Sequence, residues 1–147
     1  MDYKQPISVL VIVHTPDLKV LLLERVDFQD AWQSVTGSKE SDEILADTAR
    51  REVFEETGLN ASQFTLRDWQ LSSDFEIYEL WRHRYAPGVT TNTEHVFSLE
   101  IPTSIDIVLS EREHRRFRWV DWNIAAEMVF SPSNAEAIRR LPERIGH

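Results

Sequence analysis

Cysteine is absent from the 147 residues, which rules out disulfides, thiolate catalysis and cysteine-based zinc sites. Cations are scarce as well: 16 Lys and Arg stand against 25 Asp and Glu, for a net charge of −9. Phosphate backbones and anionic lipid surfaces are held by clustered cations, so this balance argues against nucleic-acid and membrane partners. Small phosphorylated ligands stay open, because a bound cation inverts the local sign of an acidic pocket. Long hydrophobic runs are missing too. The stretch ISVLVIV at residues 7–13 is far shorter than the roughly 20 residues a spanning helix needs. The N-terminus shows neither the basic region nor the cleavage site of a secretory signal, so a cytoplasmic location is expected. No linker, low-complexity tract or repeat interrupts the chain. Its length suits a single domain over residues 1–147, and no obligate protein partner is implied.

What the sequence does hold is one dense stretch, GSKESDEILADTARREVFEETGL, at residues 37–59. Ser41 and Asp42 carry short oxygen-bearing side chains suited to capping, so the pattern predicts a helix over 43–57 that stops at Gly58. Leu45, Ala49 and Val53 form an apolar stripe for a core, with Ile44 beside it. Glu52, Glu55 and Glu56 are spaced i, i+3 and i+4 and share one side of the helix. Three neighbouring carboxylates taken alone fit a solvated acidic face best, though a hard divalent cation such as Mg²⁺ or Mn²⁺ would relieve their mutual repulsion. Arg51 lies two turns after Glu43 and can pair with it, or with a ligand carboxylate, to fix its orientation.

The stretch satisfies GX5EX7REUXEEXGU (U aliphatic) at every specified position: Gly37, Glu43, Arg51, Glu52, Val53, Glu55, Glu56, Gly58 and Leu59. In this it resembles the signature of the Nudix hydrolases. The resemblance implies an α/β/α sandwich with a mixed central sheet, and an enzyme that cleaves a diphosphate linked to another moiety with the help of a divalent cation. It also implies that Glu52, Glu55 and Glu56 are metal ligands and that the 37–43 loop leads into a catalytic helix. Asp42 stands where many members carry glycine. Aspartate tolerates left-handed backbone, so a slightly different loop is expected rather than a lost site.

Elsewhere, residues 7–14 and 19–26 read as two buried strands joined through Thr15, Pro16 and Asp17 into a hairpin. Lys4 and Arg25 flank them, as surface charges or as cations for a substrate phosphate. In AWQSVTGS, residues 31–38, Trp32 and Val35 are expected to pack, and Thr36 offers a hydroxyl either to substrate or to a turn. Residues 64–73 and 75–85 read as strands, with 93–101 returning as the hairpin partner of the second. Alternation would then place Tyr78, Leu80, Arg82 and Arg84 on one strand face. A short final strand is expected over 117–120. Asp121 would cap a helix to Met128, and Ser133 or Asn134 would open a last helix packed through Ala135, Ile138 and Leu141 and ended by Pro142.

Nudix enzymes often take a further glutamate from outside the box as metal ligand or general base. Glu113, followed by His114, is the expected one, ahead of Glu111 and Glu94. The segments KQPISVLVIV, WQSVTGS, RHRYAPG and SPSNAEAIRR resemble a narrower branch of the family that hydrolyses dihydroneopterin triphosphate in bacterial folate biosynthesis. That likeness implies a pterin triphosphate as substrate, with side activity on deoxynucleoside triphosphates such as dATP. Its pocket would use Lys4, Arg25, Thr36, Phe75, Glu76, Ile77, Tyr78 and Ser131. Catalysis would fall to Glu56 and Glu113, with Arg51 and Glu43 in support. The alternatives are a nucleotide-pool enzyme acting on dATP and a non-catalytic nucleotide-binding domain. The latter would be expected to have lost box carboxylates, and here all are present.

Overall fold

Residues 2–146 are described by a computed structural model. The β-branched and leucine runs form β1 (Ile7–His14) and β2 (Lys19–Arg25), both nearly continuous in burial, as strands covered on two faces must be. The turn between them is built as its residues suggest: the Thr15 hydroxyl donates to Asp17 and accepts the Lys19 amide. The two strands pair only next to this turn, at His14 and Val20. They then part around residues 32–38, which pair first with β2 as β3 (Trp32–Gln33) and then with β1 as β4 (Val35–Ser38). On its other side β1 runs parallel to β6 (Thr91–Glu100), which pairs antiparallel with β5 (Thr65–Glu76). β7 (His114–Asp121) lies against β2 and completes a mixed, seven-stranded sheet.

Alternation along these strands divides the core in two. Val9, Val11, Leu21, Leu23 and Phe97 face α1 (Leu45–Thr57) through Ala49 and Val53. Leu10, Ile12, Val20 and Leu22 face α2 (Trp122–Met128) and α3 (Pro132–Arg144) through Ala125, Ile138 and Leu141. The result is the expected α/β/α sandwich.

Several boundaries depart from the sequence pattern for local reasons. The helix α1 begins at Leu45, because Ile44 takes the capping position without a side-chain bond. Ile44 is 65% exposed and does not join the core stripe. Ser41 adopts φ +48° in the preceding turn, and that turn is closed by the Glu43 carboxylate, which accepts the Glu40 amide and the Thr48 hydroxyl. Gly58 ends the helix in the left-handed conformation, as expected.

Residues 75–85 do not form a strand. β5 continues to Glu76 across a bulge at Gln70, Ile77 is drawn into the core, and a 3₁₀ helix follows over Glu79–Arg84. Arg82 fixes this turn by donating to the Ile77 carbonyl (3.0 Å) and to Glu76 (2.6 Å). Arg82 and Arg84 therefore share no strand face with Tyr78 and Leu80, and the hairpin partner of β6 is β5.

The last strand starts at His114 rather than residue 117. Asp121 precedes α2 but makes no cap bond; its carboxylate pairs with Lys19 at 2.7 Å. Ser131, not Ser133 or Asn134, caps α3, and Pro142 sits inside its last turn, where one lost backbone bond disturbs few neighbours. Asn134 instead pins α3 to the sheet, accepting the Ser34 amide at 2.9 Å and donating to its hydroxyl at 3.0 Å.

Candidate active site

Arg51 is the hub of the loop and helix. Its Nε and Nη2 donate to the two oxygens of Glu43 at 2.8 and 3.0 Å, and Nη2 also reaches the Ser38 carbonyl at 2.8 Å. Its Nη1 donates to Glu52 at 2.7 Å and lies 3.3 Å from Glu55. One guanidinium thus joins β4, the loop and three of the four box carboxylates, Glu43, Glu52 and Glu55. The Arg51 bonds hold the Glu43 carboxyl at about 2, well below its ordinary 4.5. A depressed carboxyl pKa contributes stability that is full above 4.5 and is lost as pH falls toward 2. Arg51→Lys keeps the charge but loses the planar fork. It is expected to weaken divalent-cation affinity roughly 10- to 100-fold, the usual cost of losing a partner that orients ligands. It should also flatten the acid limb of unfolding between pH 4.5 and 2. Cation titration and pH-dependent melting check both effects.

Glu56 is buried, 1% exposed, and neither of its oxygens has a hydrogen-bond partner among the described residues. The Glu52 carboxyl and the Thr36 backbone lie close, without full hydrogen-bond geometry. Burial first, then Glu52 and Glu113, push the Glu56 pKa well above the ordinary range. Burial also raises Glu52, tempered by Arg51. Glu113 is exposed and has a carboxylate oxygen within 4.8 Å of ligand atoms of Glu56 and His114. Sequence reasoning selected Glu113 for this position, and the structure brings it there. Glu55 sits half-exposed at the rim.

The His114 ring accepts from the Gln33 amide at 3.1 Å, and Gln33 in turn accepts from Arg25 at 3.3 Å. Burial and Arg25 lower its pKa to about 4, so the ring is neutral and its Nε2 lone pair is engaged. The remaining donor set is all carboxylate oxygen, with two unpartnered atoms on Glu56, and this suits a hard divalent cation.

These groups open on a cleft of about 1790 Å³. Glu43 and Arg51 support it from behind without lining it, whereas all eight expected substrate residues line it. Their present bonds differ. The Arg25 fork is committed to Asp27 by two 2.7 Å bonds and lies 4.6 Å from the Trp81 ring. Lys4 is exposed as a residue, yet desolvation of its ammonium and the nearby Arg84 lower its pKa. The Thr36 hydroxyl donates to the Val9 carbonyl at 2.9 Å, and the Ser131 hydroxyl is taken up in the α3 cap. Phe75 and Tyr78 are 37% and 47% exposed, while Ile77 is 3% exposed.

Trp81 was not singled out as a site residue, although it is the centre of the aromatic wall. Its ring lies 5.2 Å from Tyr78, 6.2 Å from Phe28 and 6.5 Å from Phe130. Asn92 and Glu94 also line the cleft as buried polar groups. Glu94 lies away from the metal end for which the sequence offers it, and no spacing in the sequence marks either residue.

A family model for the NUDIX domain matches residues 4–141, spanning the loop, the helix and the cleft. The chain belongs to the Nudix hydrolases. It is 47% identical over 142 residues to the dihydroneopterin triphosphate diphosphatase of Escherichia coli K12, covering 95% of this chain and 93% of that one. The Haemophilus influenzae protein of the same name is 46% identical over 143 residues, covering 95% and 89%. The solved structure of the E. coli dihydroneopterin triphosphate pyrophosphohydrolase superposes with a TM-score of 0.88 at 45% identity, covering 95% and 97%. Nudix hydrolases act on small phosphate compounds and generally use a divalent metal, and the carboxylates gathered here fit that requirement.

Proposed function

We propose that this Nudix domain, acting as one unit over residues 1–147, hydrolyses dihydroneopterin triphosphate to its monophosphate and pyrophosphate with Mg²⁺, as a step of folate biosynthesis. The observation that carries the reading is a single cleft joining a carboxylate site to an aromatic wall, in a chain nearly half identical to diphosphatases of that name.

Glu52, Glu55, Glu56 and Glu113 would hold the cation. When bound, it supplies charge neutralisation to the triphosphate and acidifies the attacking water. The chain's own groups do the rest. Glu56, buried beside the other carboxylates, accepts a proton from water at one carboxylate oxygen. Arg51 holds Glu52 and the loop so that the ligands stay aimed at the cleft. Lys4 steadies phosphate oxygens. Arg25, already turned toward Trp81 and Asp27, shapes the wall against which Phe75 and Tyr78 meet the ring.

A steady-state assay with Mg²⁺ and with chelator, resolving pyrophosphate from orthophosphate, tests this. Cation-dependent pyrophosphate release with kcat/KM for the pterin at least about tenfold above that for dATP is expected, tenfold corresponding to about 1.4 kcal/mol of transition-state preference. Preference for dATP would instead make the protein a nucleotide-pool enzyme.

A further inference from the structure

On β6, Asn92 and Glu94 are two residues apart, so their side chains leave the same face of the sheet about 7 Å from one another. Both are buried, 1% and 5% exposed, and both line the cleft. Each leaves one acceptor without a hydrogen-bond partner among the described residues: Asn92 Oδ1 and Glu94 Oε1. Asn92 is fixed in this state because its amide nitrogen is spent on the Ser8 hydroxyl at 2.7 Å. Two buried acceptors side by side on one wall of the cleft, apart from the unpartnered Glu56 oxygens, are a site prepared for donors.

The neighbours of this pair say what carries the donors. Phe75 is registered directly across from Asn92 and offers an exposed ring, with Tyr78 and Trp81 following. Glu94 is registered beside Ser8, and Ser8 beside Ser38 on β4. The pair therefore lies two strand spacings, about 10 Å, from β4, on the α2/α3 face of the sheet, whereas Glu52 approaches β4 at Gly37 on the α1 face. One cleft is nevertheless lined by Asn92, Glu94, Glu52 and Glu56 alike, so a flat heterocycle and the polyphosphate joined to it can occupy it together.

We propose that Glu94, assisted by Asn92, is the specificity-determining residue that reads the 2-amino-4-oxo edge of the substrate ring, where a ring N–H and an exocyclic amino group present adjacent donors. The assignment rests on the substrate reading given above and deepens it. A carboxylate accepts from both donors at once, and the same edge occurs in guanine. Adenine offers a ring-nitrogen lone pair at that place, which a carboxylate repels. A site built to bond such groups discriminates strongly against rings that lack them. Burial raises the Glu94 pKa against the pull of the Ser133 hydroxyl, so two ligand donors stabilise its charged form.

The test compares kcat/KM of the full chain, with Mg²⁺, on dihydroneopterin triphosphate, dGTP, dITP and dATP, for wild type and Glu94→Gln. Wild type is expected to favour dGTP over dITP, which lacks only the 2-amino group, by about tenfold or more. Glu94→Gln is expected to lower the pterin and dGTP values roughly 100-fold, chiefly through KM, to leave dATP equal to or higher than in wild type as the repulsion is removed, and to erase the dGTP/dITP contrast. Equal handling of dGTP and dITP by wild type overturns the proposal whether or not the variant folds. A parallel fall on all four substrates overturns it too, since it would place Glu94 with the fold or the phosphates. If wild type cleaves the nucleotides but not the pterin, the substrate reading fails while the dGTP/dITP contrast still decides the role of Glu94. Turnover of none of the four overturns both.

Discussion

Glu56→Gln is expected to lower kcat by roughly 100- to 1000-fold while raising the melting temperature of the cation-free protein. The two effects share one cause. Glu56 is buried with both oxygens unpartnered, and its carboxyl is pushed upward by burial and by Glu52. A group whose folded pKa is raised contributes stability that is full below its ordinary value of 4.5 and is lost as pH rises through the folded value. The amide has no charge to bury and no proton to lose, so at neutral pH it relieves about 1–3 kcal/mol of desolvation. For a chain of this size that is about 2–4 °C for each kcal/mol.

If Glu56 holds the cation as proposed, its raised pKa makes cation and proton compete for the same carboxylate. Cation binding should therefore release protons and tighten as pH rises, and both features should weaken in the variant. Calorimetry in buffers of different ionisation enthalpy measures the release. A variant that melts lower and turns over normally would remove Glu56 from the cation site.

Gly37→Ala is expected to lower kcat/KM about 100-fold with little change in folding. This glycine is not needed for its backbone angles, since its φ lies outside the left-handed region that Gly58 occupies. It is needed for space. Gly37 is registered against Val9 on the α1 side of the sheet, and a Cβ there would overlap the Glu52 carboxylate group. Glu52 would have to swing away from Arg51, to which it is bonded at 2.7 Å, and the box carboxylates would lose their common aim. Cation affinity should fall with turnover while the melting temperature stays near that of wild type. Normal affinity with reduced turnover would show that Glu52 had found another productive rotamer.

The part of the site that was legible in the sequence is the part made within one helix and its leading loop. Helical spacing places Glu52, Glu55 and Glu56 whatever surrounds them, and Arg51 finds Glu43 because Glu43 stands just before the helix, two turns back from Arg51. The strands β1 and β2 were legible because burial on both faces demands continuous apolar runs. Residues 75–85 misled because FEIYELWRHRY alternates like a strand. The alternation is broken only when Arg82 bonds back to Glu76 and Ile77, a contact that period counting does not register. Asn92 and Glu94 look like ordinary polar residues of a half-exposed strand. Their burial comes from elements distant in sequence: β1, β5 and the start of α3. Pro142 was read as a stop because helix interiors reject proline, a rule that relaxes in a final turn.

The parallel pairing of β1 with β6 also governs how the molecule comes into being. Ser8 and Asn92, bonded across that seam, are 84 positions apart, so the central pairing closes a very long loop, and folding dominated by such distant contacts is slow. During synthesis β1 emerges early with its apolar side chains bare; β2 pairs with it beside the turn, and β4 then covers the rest of that edge. The other edge waits until β6 has left the ribosome. Until then the recognition wall does not exist, whereas the acidic helix is already complete. A nascent chain of this protein would carry Glu52, Glu55 and Glu56 on that helix well before the wall of Asn92 and Glu94 exists, and Glu113 would join them last.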